Sequence, residues 1–345
     1  MRVFVTIWCV LCAAAVRAPA APHHEITLGD AQVTIPITAA KILVSVDGDA
    51  ASDRPVHARE DQVVMLYAAV QVGSHWYTDA PGWPKARPLA KAPAATLAWS
   101  RIEPAAANYS NEDATGFHFT QIDYRATALD ASGTAIAADV RPTLTPDHGD
   151  GVGTMRFQIT VTQGVRTIAS PGSESRRGRG AGGLTDAVTR ISIRRDDSYL
   201  GYLTEMYGQP YIWASAGVTD ASHQSEHLEG SDCADFVVYG ARRMGKAISY
   251  TWTGGLPGIS KLLAAGTRGD DGIYRDDHGK PVPFTQPGDL VLFPRHVGVL
   301  VRDRGVKGVL DDQDIIVHTL FDSPKEQAIA DTGYADKPVE LRRFK

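Results

Sequence analysis

The chain has 345 residues, 43% hydrophobic and 22% charged, with a net charge of −5 at pH 7. It is too apolar for a disordered chain and too acidic for a nucleic-acid groove, and its length suggests about two domains of ~150 residues. Glycine (33) and proline (20) favour turns and short strands, which excludes collagen-like and coiled-coil architectures.

The N-terminus reads as an export signal. Arg2 precedes the apolar run 3–16, and Arg17-Ala18-Pro19-Ala20 offers small residues at the spacing signal peptidases accept. A run of about 14 residues is short for a ~30 Å hydrocarbon core, so residues 1–20 are expected to be a cleaved signal peptide. The mature chain should then be exported, to the periplasm or the cell exterior, with no integral membrane segment. Cys9 and Cys12 leave with the signal, and Cys233 stays as a single cysteine. A lone thiol in an oxidising compartment is a liability unless it is buried or used.

From 25 to 195 the pattern is short apolar or alternating runs broken by turns. Strands are expected over 32–37, 41–46, 62–72, 96–102, 117–129, 154–162 and 188–194, an all-β, immunoglobulin-like sandwich of unknown binding role. Little chemistry stands out in it. Asp47, Asp49 and Asp53, and likewise Asp147 and Asp150, lack the ligand spacing of an EF-hand. Trp76, Tyr77 and Trp83 read as core aromatics, and 173–183 as a flexible basic surface loop. No cofactor or metal is expected.

After Asp196 the pattern changes. Ser198 can cap a helix that Gly208 stops, and Asp232 can cap a second one from Cys233 to Met244, ended by Gly245. Strands follow over 289–293, 297–301 and 314–320. Residues 196–345 therefore read as a second, α+β domain. Its chemistry centres on Cys233, His296 and His318. A cysteine at a helix N-terminus feels partial positive charge, and an imidazole within reach would complete a thiolate–imidazolium pair. A hairpin centred near Lys307 would set His296 and His318 directly opposite on one face, with His318 fixing the tautomer of His296. Between the helices, His223-Gln224-Ser225-Glu226-His227 fits a zinc-protease pattern, but glycines flank it in a loop, which favours a polar lid.

Four segments in order carry a resemblance. Met206-Tyr207-Gly208-Gln209-Pro210-Tyr211-Ile212-Trp213, Ser231-Asp232-Cys233-Ala234-Asp235-Phe236-Val237, Gln286-Pro287-Gly288-Asp289-Leu290-Val291-Leu292-Phe293 and His296-Val297-Gly298-Val299-Leu300 resemble the NlpC/P60 family of cell-wall cysteine peptidases, over about residues 197–345. The resemblance implies a papain-like α+β fold and hydrolysis of a γ-D-glutamyl–diamino acid bond in peptidoglycan stem peptides. It makes Cys233 the nucleophile, His296 the general base and His318 the third polar residue, with Tyr211, Trp213 and Asp232 as substrate-binding candidates. Ala234 and Asp235 stand where the family usually has Ser-Gly. The alternatives are an N-acetylmuramoyl-L-alanine amidase and a non-catalytic wall-binding or adaptor protein.

Overall fold

The computed structural model describes residues 26–27, 35–131, 133–144, 151–178 and 182–345. The expected signal segment, the first half of the strand 32–37, the Asp147 and Asp150 turn and Arg179 lie outside them. Among the described residues no helix is long and apolar enough to cross a membrane.

Alternating apolar residues build two N-terminal sheets. One has seven strands, with Thr96–Pro104 and Gly153–Gln163 at its centre; the other has four, with Val64–Val72 paired to Ile37–Val46. Val44, Leu66 and Val70 of the smaller sheet meet Trp99, Phe157 and Ile159 of the larger in one core. Val56–Arg59 runs parallel to Thr189–Arg194, whereas the other pairings in these two sheets are antiparallel. The alternation over 117–129 does not give one strand. Only Gly116–Phe117 and Tyr124–Ala128 are extended in ladders, because the intervening amides are taken elsewhere: His118 N donates to Asn111 O (2.8 Å), Thr120 N to Asn111 Oδ1 (3.0 Å) and Ile122 N to Gly182 O (3.0 Å).

The described residues of the basic loop are fastened down rather than free. Arg177 pairs with Glu229, which is only 1% exposed, and Arg176 donates to the carbonyl of Ile122. A buried carboxylate needs such a counter-charge. Asp47 likewise serves its own turn, accepting from Val63 N (2.8 Å), while Asp53 pairs with Lys41, whose ammonium lies 4.5 Å from the Trp76 ring.

The C-terminal residues correct the expectation from sequence. An immunoglobulin-like sandwich joined to an α+β papain-like domain is not the architecture: the chain is mostly β, about 40% strand against 12% helix, with a curled sheet. Only three short α-helices occur among the described residues: Tyr199–Leu203, Cys233–Arg243 and Leu256–Ile259. The first stops after five residues and passes into a 3₁₀ turn, Thr204–Met206; the third contains Pro257 and Gly258 and gives way at Ser260 to a nine-residue strand. The sheet has seven antiparallel strands in the order Tyr274–Arg275, Ser260–Arg268, Val339–Phe344, Leu290–Phe293, His296–Arg302, Ile315–His318, Lys325–Ala328. Its apolar face receives the helix Cys233–Arg243, which packs on the strand His296–Arg302. That core is continuous with the N-terminal one: Phe236, Val237 and Val297 belong to the same buried cluster as Trp99 and Phe157.

Two further links cross position 196. Tyr211–Trp213 pairs in parallel with Asn108–Ser110, and Trp213 Nε1 donates to Glu112 Oε2 (2.9 Å). Glu205, fully buried, accepts from Arg243 Nε (3.0 Å) and from the Tyr239 hydroxyl on the helix, and faces His57 Nδ1 (3.2 Å) and Arg194 Nη1 (3.7 Å) on the N-terminal strands. Its carboxyl stays down at about 2: burial raises it, and His57, Arg243 and Tyr239 more than reverse that. Removing one member of a buried charge cluster strands the others. Glu205→Ala is therefore expected to cost about 3 kcal/mol in urea unfolding, with Glu205→Gln intermediate; a change below ~0.5 kcal/mol would show the cluster to be energetically idle.

Candidate active site

The helix that carries Cys233 starts where the sequence says it should. Asp232 Oδ1 accepts from both Ala234 N and Asp235 N (2.9 Å each), satisfying two of the four orphan amides of a helix start. Every residue from Cys233 to Ala241 is buried, and Arg242 and Arg243 occupy the last turn, where positive charge suits the dipole. Gly240 is required by a close approach: a Cβ there would lie 2.6 Å from Leu203 Cδ2 and 2.8 Å from Tyr199 Cε2.

Cys233 is 5% exposed. Its sulfur faces two backbone amides, its own and that of Val297, the residue after His296. These amides favour a thiolate, yet the thiol is pushed up, by burial above all and then by the Asp232 carboxylate, with a smaller push from Asp235. Asp232 is itself held well above the usual carboxylate range by burial and by Asp235. The resting site is thus a neutral thiol rather than the expected thiolate–imidazolium pair. A helix N-terminus is not enough to offset desolvation and two nearby acids.

His296 and His318 come together as anticipated, but by another register. Val299 pairs with Val317 and Leu300 with Ile316, which sets His318 across from Gly298 and leaves His296 diagonal to it on the same face. The ladder shifts register at a bulge between Leu300 and Arg302. Gly298 makes the diagonal contact possible: a Cβ there would sit 3.4 Å from His318 Cβ and 2.6 Å from Ile316 Cδ1. His296 Nε2 and His318 Nδ1 are 2.8 Å apart. The other nitrogen of His296, Nδ1, is buried with no hydrogen-bond partner. Burial, then the neighbouring His318, holds His296 well below its usual range, and burial with the charge of Lys325 brings His318 down to about 4. Both rings are neutral at pH 7.

Tyr211 lies beside the sulfur: burial and then the charge of Cys233 push its hydroxyl up. Tyr334 feels the same two influences, and its ring centroid is 4.7 Å from that of His296. Nothing in the sequence marks Tyr334, which follows a turn at Gly333 far along the chain. Trp213 is turned toward Glu112 instead. Asp235 points away into the segment 214–223, where Ser215 Oγ donates to its Oδ2 (2.5 Å) and His223 Nε2 lies 3.4 Å away, stacked on Tyr250. His227 faces Asp186 (3.8 Å) and Glu226 binds Arg242 (2.5 Å), so the three residues of the zinc-like pattern serve different partners.

Two cavities are lined by sequence neighbours of Cys233 and of His296. One, of about 440 Å³, is lined by Phe117, Ser215, His223, Asp232, Asp235 and Trp252 among others; the second, of about 300 Å³, by Trp252, Leu292, Phe293, Arg295 and Glu340 among others. Trp252, 73% exposed, lines both. Phe117 comes from the N-terminal residues, a contribution that no local pattern signals.

No family model, curated protein or solved structure matches the chain.

The depressed histidines make stability pH-dependent. The unfolded chain takes up protons near pH 6.5 and the folded His318 only near 4, so its contribution is complete above pH 6.5 and drains away as pH falls toward 4. Asp314, pushed up to about 7 by burial, acts in the opposite sense, so the measurement is a comparison of variants. Between pH 7.5 and 4.5 the wild type is expected to lose on the order of 2–3 kcal/mol more than His318→Gln in urea unfolding; parallel losses would show that His318 titrates normally.

Proposed function

We propose that the protein is a cysteine hydrolase that cleaves an amide bond. The observation that carries this reading is the unpartnered, buried Nδ1 of His296, whose opposite nitrogen is fixed by His318 while the Cys233 sulfur lies against the amide of the next residue, Val297. A buried nitrogen without a partner is costly unless it has a task. Here the task is to receive a proton.

With both rings neutral, His296 Nε2–H donates to His318 Nδ1, and Nδ1 is the free base. The Cys233 thiol gives its proton to that nitrogen as sulfur attacks the substrate carbonyl, which avoids forming a thiolate beside Asp232 before the substrate is present. The amides of Cys233 and Val297 face the place where negative charge develops; those of Ala234 and Asp235 are already occupied by Asp232. The proton on Nδ1 then passes to the leaving nitrogen as the C–N bond breaks and a thioester forms. Water, deprotonated by the same nitrogen, releases the acid and restores the thiol.

For substrate, the reading rests on the four-segment resemblance: peptidoglycan stem peptides, cut between γ-D-glutamate and a diamino acid, by an exported enzyme. One observation favours a second reading, a wall-binding protein without catalysis: the thiol is buried and raised. A single experiment separates them. Purified protein incubated with peptidoglycan is expected to release new amine termini detectable by mass spectrometry, and Cys233→Ala is expected to lower the rate at least ~10³-fold. Binding without new termini, or equal cleavage by Cys233→Ala, would overturn the hydrolase.

A further inference from the structure

The strand that carries His296 begins with an anomaly. Phe293 and His296 are paired residues of an antiparallel hairpin, so Pro294 and Arg295 form its two-residue loop. Proline sets φ near −65° at the first loop position, and Arg295 at the second has φ +65°. A turn of this kind calls for glycine or asparagine there; a long branched cation is a poor choice for the backbone. Residues held in the left-handed region without glycine concentrate where the side chain has a use.

The surroundings of Arg295 indicate the use. It is exposed, and no carboxylate among the described residues is within ion-pair distance of it. It lines the 300 Å³ cavity whose other walls are mainly apolar, Trp252, Leu292 and Phe293 among them. The carboxylate of Glu340 in the same cavity is already bound to Arg342 Nη1 (2.5 Å), so the uncompensated charge is positive. Arg295 immediately precedes His296 in the hairpin loop that opens its strand, which places it beside the proposed base. Phe293, Pro294 and Arg295, the three residues before His296, line the cavity, and the leaving amine must lie near His296 to receive its proton.

We propose that Arg295 is a specificity residue that binds a carboxylate carried by the amine-side residue of the scissile bond, with Trp252 packing on its aliphatic part. This rests on the hydrolase reading above and deepens it. An amine-side residue can offer its own α-carboxylate or one on its side chain. Guanidinium suits either, in a planar two-point contact that an ammonium does not reproduce.

The test uses the full-length protein and three synthetic substrates, each L-alanyl-γ-D-glutamyl joined to diaminopimelate, to lysine, or to lysine amide. Diaminopimelate against lysine isolates the side-chain carboxylate; lysine against its amide isolates the α-carboxylate. The wild type is expected to favour one carboxylate at least tenfold in kcat/KM. Arg295→Gly, which relieves the positive φ, is expected to fold with an unchanged or raised Tm, lose that preference, and leave the rate on lysine amide within about twofold. Arg295→Lys should keep an intermediate preference. Equal loss on all three substrates, or an Arg295→Gly that retains the preference, would overturn the role of Arg295 while leaving the hydrolase standing. No cleavage of any of the three by the wild type would overturn both.

Discussion

The contact between His296 Nε2 and His318 Nδ1, 2.8 Å long and buried, is the constraint around which the C-terminal half is arranged. It requires two strands to approach with a diagonal register, a residue without a side chain at Gly298, and dry surroundings that keep both rings neutral. It also orients the remaining nitrogen of His296. Every chemical property assigned to the site follows from that orientation, because a freely rotating imidazole would find a partner in its own backbone or in solvent.

The helix that presents Cys233 answers to a different constraint. Its start is crowded with acids, and crowding raises the thiol that the dipole alone would lower. A neutral thiol beside a neutral base is a quiet resting state. On the proposed hydrolase reading such a pair reacts only when a carbonyl arrives to accept electron density, and a neutral buried thiol is a poor target for adventitious oxidants.

What could be read from the sequence was local. The Asp232 cap, the length of the helix after it, and the pairing of the strands around His296 and His318 all rest on neighbours within about twenty positions. The misreadings were non-local. An α+β domain is expected because two capped helices precede the strands, and the resemblance makes it papain-like, yet Thr204–Met206 and Pro257-Gly258 cut helical structure short and a long antiparallel sheet takes the remaining chain. The alternation over 117–129 was real, but Asn111 and Gly182 claimed its amides. Asp235 departs from the pattern of the resemblance; with Ser215 and His223 around it, it anchors the segment 214–223. Tyr334 gains its place only once folding has set its ring against His296.

The parallel pairing of Tyr211–Trp213 with Asn108–Ser110 also bears on how the two halves can be handled. A cut at position 196 would not release two finished bodies. It would bare a ribbon of unpaired amides and carbonyls beside Tyr211 and an opposing one on the other fragment, the kind of raw border that recruits foreign strands. The tyrosine next to the sulfur would lose its alignment in the same stroke. Shuffling the C-terminal half onto another scaffold would therefore mean carrying residues 108–118 along with it.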